Sequence, residues 1–289
     1  MALNKKIRTY FPDERDYTCT SMAYETLSGG VCVAYFDYPK NLHALTSNQQ
    51  QETFLILEHA KRDQNCRVLV WTATGQKAFN SGAAFGKSNI EPVLAPEVAE
   101  AYRKRHMGIG NLGDAALKAE TLAFWDFPKP VIMAINGLAV GGGANVALMN
   151  YGDLVLCSTN ARFLWPFAKL GLSPELGSSV MLANIVGMPN AKKIMMLGEW
   201  LSANEAFRMG LVNEICEPDQ LLDRAVNVAR KIAACSPSTL FRIKDIMNKQ
   251  IRKGLPGILD EEGAYIEAGI EDMIKAVTAK QKKNAKAKL

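Results

Sequence analysis

Val131-Ile132-Met133-Ala134-Ile135-Asn136-Gly137-Leu138-Ala139-Val140-Gly141-Gly142-Gly143 is the segment from which the architecture can be read. Residues 131–135 are an unbroken apolar run punctuated upstream by Pro128 and Pro130. That is the pattern of a short strand buried on both faces. Asn136-Gly137 turns the chain, and the glycine triplet opens a helix that runs to about Asn150. The span from Val131 to Gly152 carries no charge. Its Asn136, Asn145 and Asn150 and its glycine triplet would sit poorly in lipid, so it reads as a buried strand–turn–helix and not as a membrane span.

Similar units lie on either side. Val68-Leu69-Val70-Trp71 is a buried strand followed by a second glycine turn, Asn80-Ser81-Gly82. Leu154–Cys157 is a third strand, and Arg162–Leu164 a short extended piece. Upstream, Ala23–Leu27 and Val31–Phe36 flank Ser28-Gly29-Gly30 as a hairpin. Thr46 or Ser47 can cap a helix reaching Arg62. Residues 1–18 read as an irregular charged arm. Downstream, helices are predicted at Ser178–Val186, Ala191–Leu197, Ala203–Met209, Gln220–Ala233, Ser238–Lys253 and Leu259–Thr278. Strands alternating with helices, then a helical end, give an α/β fold with an α-helical extension.

Residues 86–125 contain two predicted helices, Glu97–His106 and Asp114–Phe124. Between them Gly108-Ile109-Gly110-Asn111-Leu112-Gly113 matches GxGxxG formally. A dinucleotide fingerprint needs a strand immediately before it, and Tyr102–His106 is polar, so a helix–helix connection is the expectation.

Composition narrows the function classes. The 289 residues are 48% hydrophobic and 22% charged, with a net charge of +5. Lys280, Lys282, Lys283, Lys286 and Lys288 account for that excess, so charge does not argue for nucleic acid. The six cysteines form no CxxC pair and the three histidines are scattered, so neither a metal site nor a disulfide framework is expected. The amino-terminal residues lack an apolar signal-like run, which suits a reducing intracellular setting. The chain ends Ala287-Lys288-Leu289, similar to the Ser-Lys-Leu peroxisomal address.

The two glycine turns carry the first chemical hypothesis. Glycine lets a backbone N–H approach a ligand closely, and N–H groups at a helix start are unpaired and favour negative charge. Two such groups aimed at one point would make an oxyanion hole. The alternative is close helix–strand packing at Gly141–Gly143 and an ordinary loop at Ser81-Gly82.

Ala78-Phe79-Asn80-Ser81-Gly82-Ala83-Ala84-Phe85 and Asn136–Gly143 resemble the paired motifs A-F-x-[AS]-G-A-D-[FL] and N-G-x-A-x-G-G-G of the enoyl-CoA hydratase/isomerase (crotonase) superfamily. The likeness runs in order from about residue 25 to 235. It implies a crotonase-like β/α spiroid core, an acyl-CoA substrate, no cofactor beyond the coenzyme A that the substrate carries, and a homotrimer or hexamer. It implies oxyanion donors at Ala83 and Gly142, and substrate contacts at Ser81, Gly82, Ala83, Ala84, Phe85, Gly141 and Pro166. Lys40 and Lys87 are candidates for the coenzyme A phosphates or, equally, solvated surface lysines.

Three departures bear on the chemistry. Asn145 stands where hydratases of the family carry a catalytic Glu, and an amide is no acid or base at neutral pH. Pro166-Phe167 stands where they carry a second Glu. Ala84 replaces the Asp after the first oxyanion residue. Phe163–Glu175, however, resembles the Δ3,Δ2-enoyl-CoA isomerase pattern F-x-x-P-F-x-x-L-G-x-x-P-E, whose Glu is the acid/base, making Glu175 the candidate here. Leu170, Leu172 and Leu176 around it would desolvate the carboxylate. Its alternative is an exposed residue in the first turn of the following helix.

The expected organisation is an arm at 1–18, an acyl-CoA-binding core at 19–200, a helical trimerisation region at 201–279 and a basic tail at 280–289. The expected activity shifts a 3-enoyl-CoA double bond to 2-trans-enoyl-CoA within fatty-acid oxidation, in a peroxisome or related microbody. Hydration or another acyl-CoA reaction is the alternative, and a non-catalytic RNA-binding or assembly protein is a further one.

Overall fold

The computed structural model describes residues 3–10, 14–84, 112–150 and 152–286. The predicted helix at Glu97–His106, most of the GxGxxG segment, Phe85, Lys87 and the Ala287-Lys288-Leu289 ending lie outside them.

Twelve strands are described, in three sheets. The largest has six: β3 (Met22–Leu27), β4 (Val31–Phe36), β5 (Val68–Ala73), β7 (Val131–Ile135), β9 (Leu154–Ser158) and β12 (Glu214–Cys216). Their spatial order is β12-β9-β7-β5-β4-β3, with β3 antiparallel to β4 and every other pair parallel. Continuous apolar runs suit this sheet because both faces are covered. Cys32, Ala34, Phe36, Leu69, Trp71 and Met133 pack on one side. Val31, Val33, Val68, Val70, Ile132 and Ala134 pack on the other. The second side is closed by α8 (Leu221–Ala233), which buries Leu221, Ala225, Val226, Ala229 and Ala233 at helical spacing. The first is closed by α1 (Ser47–Arg62) and α2 (Leu112–Trp125), through Phe54, Leu55, Phe124 and Trp125 among others. Thr46 caps α1, its side chain accepting the Gln49 N–H at 3.1 Å.

A second sheet of four strands positions the site. It runs β11 (Leu201–Ser202), β10 (Arg162–Leu164), β8 (Leu138–Val140), β6 (Ala78–Asn80). The chain supplies strands in pairs, β5 then β6, β7 then β8, β9 then β10. Each pair gives one strand to each sheet, which is the spiral winding of the α/β crotonase fold. Because β6, β8 and β10 are parallel neighbours, their carboxyl ends lie side by side, however far apart in sequence they are. Ligand sites in α/β folds form at such ends.

The structure corrects three expectations. Residues 6–10 and 14–18 are not irregular but an antiparallel pair, β1 (Lys6–Tyr10) and β2 (Glu14–Thr18). Ile7 and Thr9 turn inward while Arg8 faces out toward Glu14 and Asp16. The helix after the triplet reaches Asn150 as expected but is not α-helical throughout: α3 (Gly142–Asn145) passes into a π-helical turn, Val146–Asn150. The two predicted C-terminal helices are one, α9 (Pro237–Lys286), with Pro256 inside it. Leu255 and Leu259, both buried, hold the helix on the core across the proline.

Candidate functional site

The glycine turns meet because β6 and β8 pair. Ala78 is in register with Leu138 and Asn80 with Ala139, so residues 80–83 and 140–143 leave the sheet together. Their approach requires glycine. A β-carbon on Gly82 (φ +81°) would lie 2.4 Å from the Val140 carbonyl oxygen, and one on Gly143 would lie 2.3 Å from that of Asn80. Close packing is therefore a real function of these glycines.

It is not their sole consequence. In the first turn Gly82 N–H donates to the Asn80 Oδ1 at 2.9 Å, Ser81 N–H to the Leu42 carbonyl at 3.1 Å and Ala84 N–H to the Leu45 carbonyl at 3.1 Å. In the second, Gly141 N–H donates to the Leu164 carbonyl at 2.8 Å, and the Ala144 and Asn145 N–H groups both turn back to the Gly141 carbonyl. Between them, the N–H groups of Ala83 and Gly142 donate to no other described residue. Gly142 is the first residue of α3, where an N–H has no helical partner. Ser81, Gly82, Ala84 and Gly141 thus use their N–H groups to hold the shape of the turns, while those of Ala83 and Gly142 are not used in this way.

Glu175 reaches the same place from the third strand. After β10 the chain passes Pro166, which precedes α4 (Phe167–Leu170), and turns at Gly171 (φ +73°). The loop then runs to α5 (Ser178–Val186) through Leu176 and Gly177, both with positive φ. This kinked approach sets the Glu175 side chain, half buried, against the second turn. A β-carbon on Gly142 would lie 2.8 Å from the Glu175 Oε1 and 3.0 Å from Leu45 Cδ1. The alternative of a fully exposed first-turn Glu is not what the structure has.

Several contacts that the sequence did not disclose fix this loop. Asn145 is fully buried; its Nδ2 donates to the Glu175 carbonyl at 2.9 Å, and its Oδ1 accepts the Trp165 Nε1–H at 2.8 Å. The residue in the hydratase glutamate position is therefore a clamp on the backbone of the candidate base. Ser178 closes the loop on itself, its Oγ accepting the Glu175 N–H at 3.2 Å. From α9, the buried Glu262 accepts the N–H groups of Gly177 at 2.6 Å and Ser179 at 2.9 Å. A carboxylate there also complements the positive end of the α5 dipole. Gly269 of the same helix packs on the loop before Glu175, where an added β-carbon would meet the Gly171 carbonyl at 2.6 Å.

A second carboxyl lies within electrostatic reach. Glu120 of α2 is fully buried, and burial first, then the negative charge of Glu175, push its carboxyl up to about 8. Sequence reading passed over it, although its helical spacing from the buried Phe124 marked the inward face.

Of the other expected contacts, Ser81, Gly82, Ala84 and Gly141 belong to the two turns. Pro166 leads out of β10, and Lys40 is exposed at the 3-10 turn Pro39–Asn41. A cavity of about 350 Å³ lies elsewhere, between α2 and α9, lined by Phe124, Trp125, Met181, Ile243 and Met247 among others. None of the lining residues belongs to the glycine turns or the Glu175 loop. No described helix is long and apolar enough to cross a membrane.

Comparison with known proteins agrees with this geometry. Residues 26–282 match the profile of the enoyl-CoA hydratase/isomerase family. The chain is 31% identical over 253 residues to a short-chain-enoyl-CoA hydratase of Clostridium acetobutylicum, covering 87% of this chain and 91% of that protein. It is 30% identical over 237 residues to a 1,2-epoxyphenylacetyl-CoA isomerase of Escherichia coli K12, covering 82% and 85%. The crystal structure of an enoyl-CoA hydratase/isomerase from Pseudoalteromonas atlantica superposes with a TM-score of 0.77 at 24% identity, over 91% of this chain and 98% of that one.

Proposed function

The chain belongs to the enoyl-CoA hydratase/isomerase family, and on that footing we propose that it is a Δ3,Δ2-enoyl-CoA isomerase. One observation carries the choice of reaction. The carboxylate beside the second glycine turn is Glu175, while the hydratase position next to it holds Asn145, whose amide is committed to Trp165 and to the Glu175 backbone.

The thioester oxygen of a 3-enoyl-CoA docks between the Ala83 and Gly142 N–H groups. Glu175 takes a proton from C2, and the electron pair spreads over a dienolate whose charge collects on that oxygen. The two N–H groups stabilise the charge, each worth about 3 kcal/mol in comparable sites. Glu175 then returns the proton to C4, leaving the C2–C3 double bond conjugated with the thioester. One carboxylate suffices because no water is added. Ser81, Gly82, Ala84, Phe85, Gly141 and Pro166 are proposed to line the acyl-CoA path.

Purified protein given 3-trans-enoyl-CoA should generate the ultraviolet absorbance of a conjugated 2-enoyl thioester. Absence of that signal across a range of chain lengths would remove the isomerase assignment. Hydration is the second reading, favoured by the name of the Clostridium relative; water uptake by 2-enoyl-CoA would establish it instead.

The chain is further proposed to form a homo-oligomer, trimer or hexamer. Exposed apolar side chains on and beside α6 (Met188–Leu197) and α7 (Ala203–Arg208), including Met196, Trp200 and Phe207, and on α9, including Phe241, Ile246 and Met247, support it.

A further inference from the structure

Glu175 heads a turn that its own sequence does not favour. The Ser178 N–H donates to the Glu175 carbonyl at 3.0 Å, and the two residues between them, Leu176 and Gly177, have φ of +59° and +79°. Two successive positive φ values are the pattern of a type I′ turn, whose central positions ordinarily take Gly, Asn or Asp. Glycine suits the second position. Leucine at the first bears the steric cost of left-handed backbone on an L residue. Its side chain is nevertheless used at the site: Leu176 is 2% exposed, and a β-carbon on Gly142 would lie 3.6 Å from its Cδ1. The turn therefore brings both Leu176 and the Glu175 carboxylate against Gly142.

The turn leads directly into α5, whose leading N–H groups have no helical acceptors. Gly177, at the N-cap, has no side chain to supply one. Glu262 supplies it from 85 residues further along the chain, its Oε2 accepting the Gly177 N–H at 2.6 Å and its Oε1 the Ser179 N–H at 2.9 Å. The two oxygens thus grip the residues on either side of Ser178, which closes the turn. Glu262 is 6% exposed. It lines one small cleft with Lys118, Glu175, Leu176 and Ile266, and Lys118 pairs with Asp260. Its hold on Glu175 runs through the main chain.

We propose that Glu262 is a positioning residue of the reaction: by gripping Gly177 and Ser179 it keeps the Glu175–Ser178 turn left-handed, and so sets the Glu175 carboxylate for proton transfer. The inference deepens the isomerase reading and rests on Glu175 being the base. Without the grip, two N–H groups beside a buried leucine lose their acceptor. The turn then relaxes toward ordinary backbone and carries the carboxylate away from Gly142. The proposed oxyanion donors, Ala83 and Gly142, belong to the glycine turns, which Glu262 does not hold. Loss of the grip should therefore fall on the chemical step and spare acyl-CoA binding.

The test is steady-state kinetics of Glu262→Gln with 3-enoyl-CoA. The amide has the size of the carboxylate, but its NH2 faces one of the two N–H donors, so one bond is lost. Turnover per folded molecule should fall about 10- to 100-fold, as for a misplaced catalytic group, with KM within about two-fold of wild type. Unchanged turnover per folded molecule, or a loss that falls on KM, overturns the proposal. Amide hydrogen exchange over residues 175–179, read without substrate, should quicken by about ten-fold or more in the variant; unchanged exchange there also overturns it. If Glu262→Gln does not fold, Glu262→Asp, which keeps the charge and draws the oxygens back by one methylene, takes its place with the same readings. If neither folds, Glu262 serves stability alone and the proposal falls. If wild type isomerises nothing, the isomerase reading fails on that result, and the exchange measurement still decides whether Glu262 holds the turn.

Discussion

The Glu175 Oε1 rests against the α-carbon of Gly142, so near that a β-carbon on residue 142 would come within 2.8 Å of it. A carboxylate and a main-chain N–H that donates to no other described residue thus share one glycine as their point of contact. In the proposed reaction the group that takes the proton and a group that holds the resulting charge are set by the same few atoms.

Replacing Glu175 with Gln should leave the fold intact, because the loop is held by its backbone, by Asn145, Ser178 and Glu262. Isomerisation should fall by about 10²- to 10⁴-fold, the usual effect of removing a general base. Binding of a saturated acyl-CoA, measured by calorimetry, should change little. Full activity in the variant would exclude Glu175 as the base.

Gly142→Ala should separate activity from stability. The new methyl meets a side-chain oxygen and Leu45 Cδ1, both of which can shift. Turnover should fall more than ten-fold while the melting temperature drops only slightly, as expected for a catalytic misplacement. Gly82→Ala should do the reverse damage first. Its methyl meets the Val140 carbonyl at 2.4 Å and its φ is +81°, so loss of folded protein on thermal denaturation is the expected outcome.

Asn145→Ala removes both ends of the clamp and strands the buried Trp165 N–H. It should cost about 1–3 kcal/mol of stability in chemical denaturation, and lower kcat more than it raises KM. Asn145→Glu should not create a hydratase. The position faces Trp165 and a backbone carbonyl, and a carboxylate there loses the donor to Glu175. Appearance of brisk water addition to 2-enoyl-CoA in that variant would contradict this account.

Glu120 makes stability depend on pH. Its folded pKa, about 8, lies above the ordinary 4.5. Between those values the unfolded chain has released the proton and the folded chain still binds it. Stability contributed by the neutral form is therefore complete below about 4.5 and declines as pH rises toward 8, by up to about 1.4 kcal/mol per unit. Urea denaturation at several pH values should show this slope in wild type and a shallower one in Glu120→Gln, which should be the more stable protein at pH 8.

Much of the large sheet was legible because its signals are local. Val131–Ile135, the Val31–Phe36 hairpin and the Thr46 cap each announce themselves within a few residues, and the structure has them at those places. The strands β6, β8 and β11 were not legible. They are two or three residues long and exist because a neighbour pairs with them. The glycine turns were visible as motifs, but their convergence follows from the β6–β8 register, which no single segment encodes. The expected break between Lys253 and Leu259 spans Gly254, Pro256 and Gly257, poor helix formers; burial of Leu255 and Leu259 on the core overrides that local preference. Asn145 was read for the glutamate that it is not, and its actual work needed Trp165 and Glu175 in place around it.

Glu262 belongs to the final helix, yet it fastens Gly177 and Ser179, beside Glu175. Ribosomes deliver a chain from its amino terminus. Both proposed main-chain donors, at Ala83 and Gly142, are thus synthesised well before Glu262, the anchor of the Glu175 loop. The loop that bears the proposed base is therefore the part of the candidate site whose anchoring waits on the C-terminal helix.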